Sequence, residues 1–138
     1  VRHWYVYHSQ KTVKNTYSSL TDSTVFSKSN RRDLCIGDII WVVEGDLSNP
    51  VNFTLVDCFI YKTCDYPPFP LEFSNFKFKF SGTSVFSHSS IALDKSIPWF
   101  LDLHSKYLSK QKFFNNIVFE TDVINGLLDI SGVVISSH

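Results

Sequence analysis

The sequence predicts an α+β fold: a small, strongly bent, barrel-like β-sheet with peripheral helices, mainly C-terminal. Three observations lead there. Short runs of aromatic and β-branched residues, alternating with polar ones, fill the N-terminal part of the chain, as strands do. Clusters of turn formers separate those runs. From Ser96 onward the apolar spacing changes to that of helices. The 138 residues, 43% hydrophobic and 19% charged, suit one globular domain, 1–138, rather than a disordered chain.

The elements follow in order. His3 to His8 is a strand, with Trp4, Val6 and His8 on one face and Tyr5 and Tyr7 on the other. Ser9 to Asn30 is a long Ser/Thr-rich connection, interrupted by Val25-Phe26. Gly37-Asp38 turns into Ile39–Val43, which is apolar on both faces and so belongs at the centre of the sheet. Gly45 to Pro50 is dense in turn formers, and Val51 to Tyr61 forms a hairpin with the preceding strand. Asp65 to Pro70 breaks the chain. In Leu71 to Phe80, Phe76, Phe78 and Phe80 face one way and Lys77 and Lys79 the other. Ser81-Gly82-Thr83 reads as a turn into a short strand around Val85-Phe86, so the strands form a meander. Ser96 is an N-cap candidate, Pro98 fits the first helical turn, and Ile97, Phe100, Leu101, Leu103, Tyr107 and Leu108 mark the apolar face. Thr121 or Asp122 opens a second helix through Leu128, and Val133 to Ile135 is a last strand or a linker.

Composition limits the function. The chain has no Met and opens on Val1, so a segment of a longer protein is expected. An odd set of cysteines, Cys35, Cys58 and Cys64, fits a reducing, cytoplasmic setting. No apolar run is long enough to span a membrane. The formal net charge is zero, yet its distribution is uneven. Six Lys/Arg against two acids occupy Val1–Leu34, six acids against Lys62 occupy Cys35–Phe76, and six Lys against two acids occupy Lys77–Lys112. If the two basic blocks meet in space they can grip phosphates.

Motifs for chemistry are missing. None of the 13 acids is followed two places later by Lys, as the common carboxylate nucleases require. There is no His-Glu-x-x-His, no Gly-x-Ser-x-Gly and no phosphate loop. Cys58, Cys64, His88 and His104 lack the spacing of a zinc knuckle. The sequence therefore implies no catalytic residue, metal or cofactor. The 22 aromatic residues (13 Phe, 6 Tyr, 3 Trp) point elsewhere. Rings with a few polar groups suit a flat polar ligand such as an extruded base, stacked on rings and read at its edge.

His3-Trp4-Tyr5-Val6-Tyr7-His8-Ser9, followed after a gap by Ile36-Gly37-Asp38-Ile39-Ile40-Trp41-Val42, resembles the PUA-like superfamily, which includes EVE, ASCH and YTH domains. Ile97-Pro98-Trp99-Phe100-Leu101-Asp102-Leu103, Asn115 and Ile124-x2-Leu127-Leu128 are similar to N-terminal domains that precede HNH nuclease modules in modification-dependent restriction proteins. Phe113-Phe114-Asn115-Asn116 departs from the usual form of the C-terminal segment. The resemblance implies a bent barrel that binds modified or flipped bases in an aromatic pocket. By position that pocket would draw on His8, Ser9 and Gln10, on Asp22, Ser23 and Phe26, and on Trp41. Tyr5, Tyr7, Asp57 and Tyr61 are further candidates. Trp41 is the expected wall, with Tyr5 or Tyr7 opposite and Asp57 or Ser9 reading the edge. Lys11, Lys14, Lys28, Arg31 and Arg32 are the phosphate-binding candidates.

The leading expectation is a specificity domain for a modified base in double-stranded DNA, methylated cytosine or another modified base, with any nuclease in a separate domain. A protein-interaction module is one rival, and it predicts an apolar patch without a basic rim. An ASCH-like RNA-processing hydrolase is another, and it predicts a Lys, an acid and a Ser/Thr in one cleft. The purified chain is expected to leave methylated and unmethylated DNA uncut with Mg²⁺, Mn²⁺ or Zn²⁺ present. Metal-dependent cleavage in a gel assay, lost on one acid-to-Ala change, would overturn the binding-module expectation.

Overall fold

The computed structural model describes residues 1–10, 17, 23–28, 33–87, 90–94, 96–108 and 114–135. Among them the chain forms a seven-stranded mixed sheet with two helices. The strands are β1 (His3–Ser9), β2 (Thr24–Ser27), β3 (Ile39–Gly45), β4 (Phe53–Asp65), β5 (Phe78–Ser84), β6 (Ile91–Ala92) and β7 (Phe114–Asn116). The helices are α1 (Pro98–Leu108) and α2 (Thr121–Ser131). The sheet order is β2-β5-β4-β3-β1-β7, with β6 paired to β4 off that path.

The central place of β3 follows from its sequence. Residues Ile39 to Val43 are all buried, because the strand has a neighbour on each edge and apolar contacts on each face. The meander is corrected at β1. It pairs with β3 in parallel, from His3↔Ile39 to Ser9↔Gly45, and a parallel pair needs a long crossover. The connection supplies it and spends Val25-Phe26 on β2, at the far edge beside β5. Asp38 locks the β1–β3 start: its carboxylate accepts the Arg2 N–H (3.2 Å), the Trp4 Nε1–H (3.0 Å) and the Cys35 N–H (3.0 Å). Gly37 precedes it at φ +96°, a conformation that a side chain disfavours.

Two turn readings are also corrected. Ser81-Gly82-Thr83 lies inside β5, where Gly82 pairs with Tyr61, and Val85-Phe86 forms no strand. Gly82 is there because a Cβ would strike the Ile60 carbonyl, so the glycine serves close backbone approach rather than a bend. Val133 to Ile135 is irregular backbone after Gly132 (φ +67°), which caps α2 through its N–H to the Leu128 carbonyl (3.0 Å). Ser96 donates its Oγ–H to Asp94 (2.5 Å) just ahead of α1.

The sheet curls into a half-barrel. Phe80 of β5 meets Phe114 of β7 with ring centroids 5.5 Å apart. Those strands are four places apart, which is about 19 Å in a flat sheet, so the contact requires the curl and defines its concave face. Trp4, Val6, Val25, Leu34, Ile40, Val42, Phe59, Phe80 and Phe114 form the concave core. Tyr5, Ile39, Trp41, Val43, Leu55 and Cys58 form the convex core under Phe100, Leu103 and Tyr107 of α1 and Val123 and Leu127 of α2.

Truncating Phe114 should therefore undo both a core contact and the curl. Phe114→Ala is expected to cost about 3–5 kcal/mol in urea unfolding. Phe119→Ala, at a ring 94% exposed, should stay within about 0.5 kcal/mol. Equal effects of the two would refute the role given to Phe114.

Candidate functional site

The concave wall turns polar at one end, and strand register explains which residues arrive there. On β1 the face of Trp4 and Val6 continues to His8; on β3 the face of Val42 continues to Glu44, the register partner of His8. On β4 the regular period would put Leu55 and Asp57 on the same face. A bulge separates them: Val43 pairs with Leu55 and Val42 with Asp57, leaving Val56 extra. Leu55 then packs in the convex core, while Val56 and Asp57 both turn to the concave side.

Asp57, only 4% exposed, accepts the Tyr17 Oη–H (2.6 Å) on one oxygen. The other oxygen accepts the Ser84 Oγ–H (2.8 Å) and the Cys58 N–H (2.8 Å). Glu44 accepts the Tyr17 backbone N–H (2.6 Å) and lies 3.8 Å from His8 Nε2. Tyr17 thus spans two carboxylates, with its ring edge-on to His8 at 5.7 Å. Its oxygen accepts the Thr24 N–H (3.2 Å), and Ser23 bonds to it as well. Burial, then the Asp57 charge, pushes the Tyr17 phenol far above its ordinary range, so it stays a neutral donor. The partners of Asp57 among the described residues are therefore neutral O–H and N–H groups. A carboxylate held this way can exchange a hydroxyl for another N–H or O–H donor without losing a counter-charge.

The sheet divides the residues expected in one pocket. His8, Ser23, Asp57 and Tyr61 reach the concave side or its rim. Trp41 does not: it is fully buried on the convex face, stacked near His3 and donating its Nε1–H to His3 Nδ1 (2.9 Å). Tyr5 and Tyr7 share that face, under α1, where Tyr5 Oη bonds His104 Nδ1 (3.0 Å) and the Tyr7 ring meets His104 at 4.7 Å. A common pocket of Trp41, Tyr5 or Tyr7 with Asp57 is thus corrected; residues on opposite faces of one sheet cannot enclose one ligand. Ser9 bonds Tyr7 on the convex side, and Gln10 is half-buried beyond the end of β1. Phe26 faces outward, stacked on Phe73 at 4.1 Å. Lys28 is exposed after β2. Asp22, Lys11, Lys14, Arg31, Arg32 and His88 lie outside the described residues.

Sequence reading missed Tyr17, Glu44, Thr24 and Ser84. Glu44 carried a faint signal as the first charged residue after the apolar run of β3; the others lie in polar stretches where nothing distinguishes them. Among the described residues no group of three or more His, Cys, Asp or Glu is placed to hold a metal ion. The described lysines, Lys28, Lys62, Lys77, Lys79 and Lys106, are absent from the bonds made by Asp57 and Tyr17. No described helix is long and apolar enough to cross a membrane. In comparisons with protein-family models, curated proteins and solved structures, nothing matches this chain. The fold and the site by themselves define its class: an α+β domain whose curled sheet carries a buried acid–hydroxyl cluster on the concave face.

Two imidazoles make stability depend on pH. Burial lowers the pKa of His104, and burial is also the largest cause lowering that of His3. Unfolding returns each to its ordinary value of 6.5, where it binds a proton the folded form resists. Their contribution is full above that value and is lost as pH falls from it through the lowered folded-state pKa. Urea midpoints should therefore drop from neutral pH toward about pH 5. His104→Gln should reduce the drop; an unchanged pH profile in that variant would remove His104 from the explanation.

Proposed function

We propose that the concave face binds a nucleic-acid base turned out of its duplex, and that the chain is the recognition part of a modification-dependent restriction system. In this reading the base is methylated, the partner is double-stranded DNA, the setting is cytoplasmic, and cleavage belongs to a nuclease domain outside this chain. The supporting observation is Asp57: a buried carboxylate on an aromatic wall, held by hydroxyls that a base can replace. The Tyr17 ring, with a hydroxyl donor on its edge bonded to Asp57, is the same kind of object as a base. A base edge offers N–H donors to the carboxylate, and His8, Tyr17 and Tyr61 offer rings beside it.

Magnitudes favour polar selection over methyl contact. Unpairing costs a few kcal/mol, and stacking returns about 1–3 kcal/mol per base. A hydrogen bond to a charged group adds about 1.5–3 kcal/mol, against about 0.8 kcal/mol for one buried methyl. The carboxylate therefore sets which base enters, and pocket shape must reinforce the choice of modification.

Asp57→Asn is expected to weaken binding of a methylated duplex by about 10- to 100-fold, because an amide donor then stands beside the base donor. Trp41→Phe, on the opposite face, should stay folded and bind as the parent does. Fluorescence anisotropy with methylated and unmethylated duplexes, checked by thermal melting, measures both. A folded Asp57→Asn variant with parental affinity for both duplexes would remove Asp57 from the site.

A further inference from the structure

The outer side of the β2–β5 edge carries a second aromatic cluster, separate from both cores. Phe26 stacks flat on Phe73 (4.1 Å, 6° between planes) and meets Phe69 at 5.4 Å and Phe76 at 5.7 Å. Phe73 is buried, whereas Phe26, Phe69 and Phe76 remain partly open to solvent. Lysines lie on or beside the two strands of this edge. Lys79 is the register partner of Phe26, and Lys28 and Lys77 are exposed where the two strands end, next to the Lys77 N–H bond to the Ser27 carbonyl (3.0 Å). Two carboxylates are near: Asp65, opposite Lys79 on β4, and Glu72, exposed in the short 3₁₀ turn Leu71–Phe73. Lys28, Lys77 and Lys79 against Asp65 and Glu72 leave a positive surplus here on a chain of zero formal net charge.

The register also brings two distant sequence regions together. Lys28 comes from the first basic block and Lys77 and Lys79 from the second, and the antiparallel β2–β5 pairing joins them. Asp65 offsets Lys79, its register partner, and Lys28 and Lys77 stand exposed at the adjoining strand ends as contacts for an anion. Rings open to solvent beside the lysines add a stacking surface, so the strip matches a ligand with phosphates and flat bases together.

We propose that this outer strip binds a single nucleic-acid strand without regard to sequence, with Lys28, Lys77 and Lys79 on the phosphates and Phe69 and Phe76 under the bases. The proposal rests on the nucleic-acid reading of the chain but uses none of the residues around Asp57. A strip outside the curl can hold the strand that borders the captured base while the concave face holds the base itself.

The experiment titrates the full chain with a labelled oligothymidylate and, separately, with the methylated duplex, over a range of salt. Lys28→Gln with Lys77→Gln should weaken single-strand binding by about tenfold or more and flatten the log K against log salt slope by about 0.7 per lysine removed. Phe69→Ala should weaken it by about fivefold or more with little change in slope. Asp57→Asn should bind the single strand as the parent does. Parental single-strand binding by the lysine and Phe69 variants, with unchanged melting, would overturn the strip, as would no single-strand binding by the parent. The methylated-duplex titration of Asp57→Asn judges the concave site independently, so the two proposals can fail separately.

Discussion

The contact of Phe80 with Phe114 is the constraint on which the rest depends. Rings from strands near opposite ends of the sheet meet inside the curl, and Trp4 braces Phe114 edge-on at 5.3 Å. A flat sheet would leave these rings in solvent; the curl buries them and at the same time creates a concave face distinct from the convex one. The helices then have one place to go. Their apolar sides cover Tyr5, Ile39, Trp41 and Val43 on the convex face, and no residue of α1 or α2 belongs to the concave core.

Within that frame a single irregularity sets the chemistry. The bulge between Val42 and Val43 turns Asp57 away from Leu55 and onto the concave side. Without it, Asp57 would share the convex face with Leu55, an apolar setting packed against helices. With it, the carboxylate lies within reach of hydroxyls from two separate parts of the chain, Tyr17 and Ser84 at the end of β5, and the Thr24 backbone N–H in turn holds the Tyr17 oxygen. A buried carboxylate needs hydrogen-bond donors to offset its lost hydration. Asp57 has three such donors, Tyr17, Ser84 and the Cys58 N–H, and no described cation among them.

Much of the local structure could be read directly. The alternation of β1 placed Trp4 and Val6 opposite Tyr5 and Tyr7, the unbroken apolar run of β3 placed it centrally, and the C-terminal spacing located both helices. β7 was not legible, because three residues are too few to show a period, and Gly82 misled because a glycine serves a turn and a tight strand contact equally well. The candidate site was legible in part. His8, Ser23, Asp57 and Tyr61 were named and do lie on or beside the concave face; Trp41, Tyr5 and Tyr7 were named for the same pocket and lie behind it.

The sequence by itself determined what depends on near neighbours: strand and helix periods, the faces of β1, the two-sided burial of β3, and the existence of two basic blocks. Tertiary structure alone decided what depends on partners far along the chain. It made β1 parallel to β3, joined Lys28 to Lys77 and Lys79 through β2–β5, and brought Tyr17 to Asp57 across 40 residues. The physical reason is the bulge and the curl. A period of two fixes which residues share a face only while the ladder is regular, and one extra residue in β4 reverses the assignment from Asp57 up to the next irregularity after Tyr61.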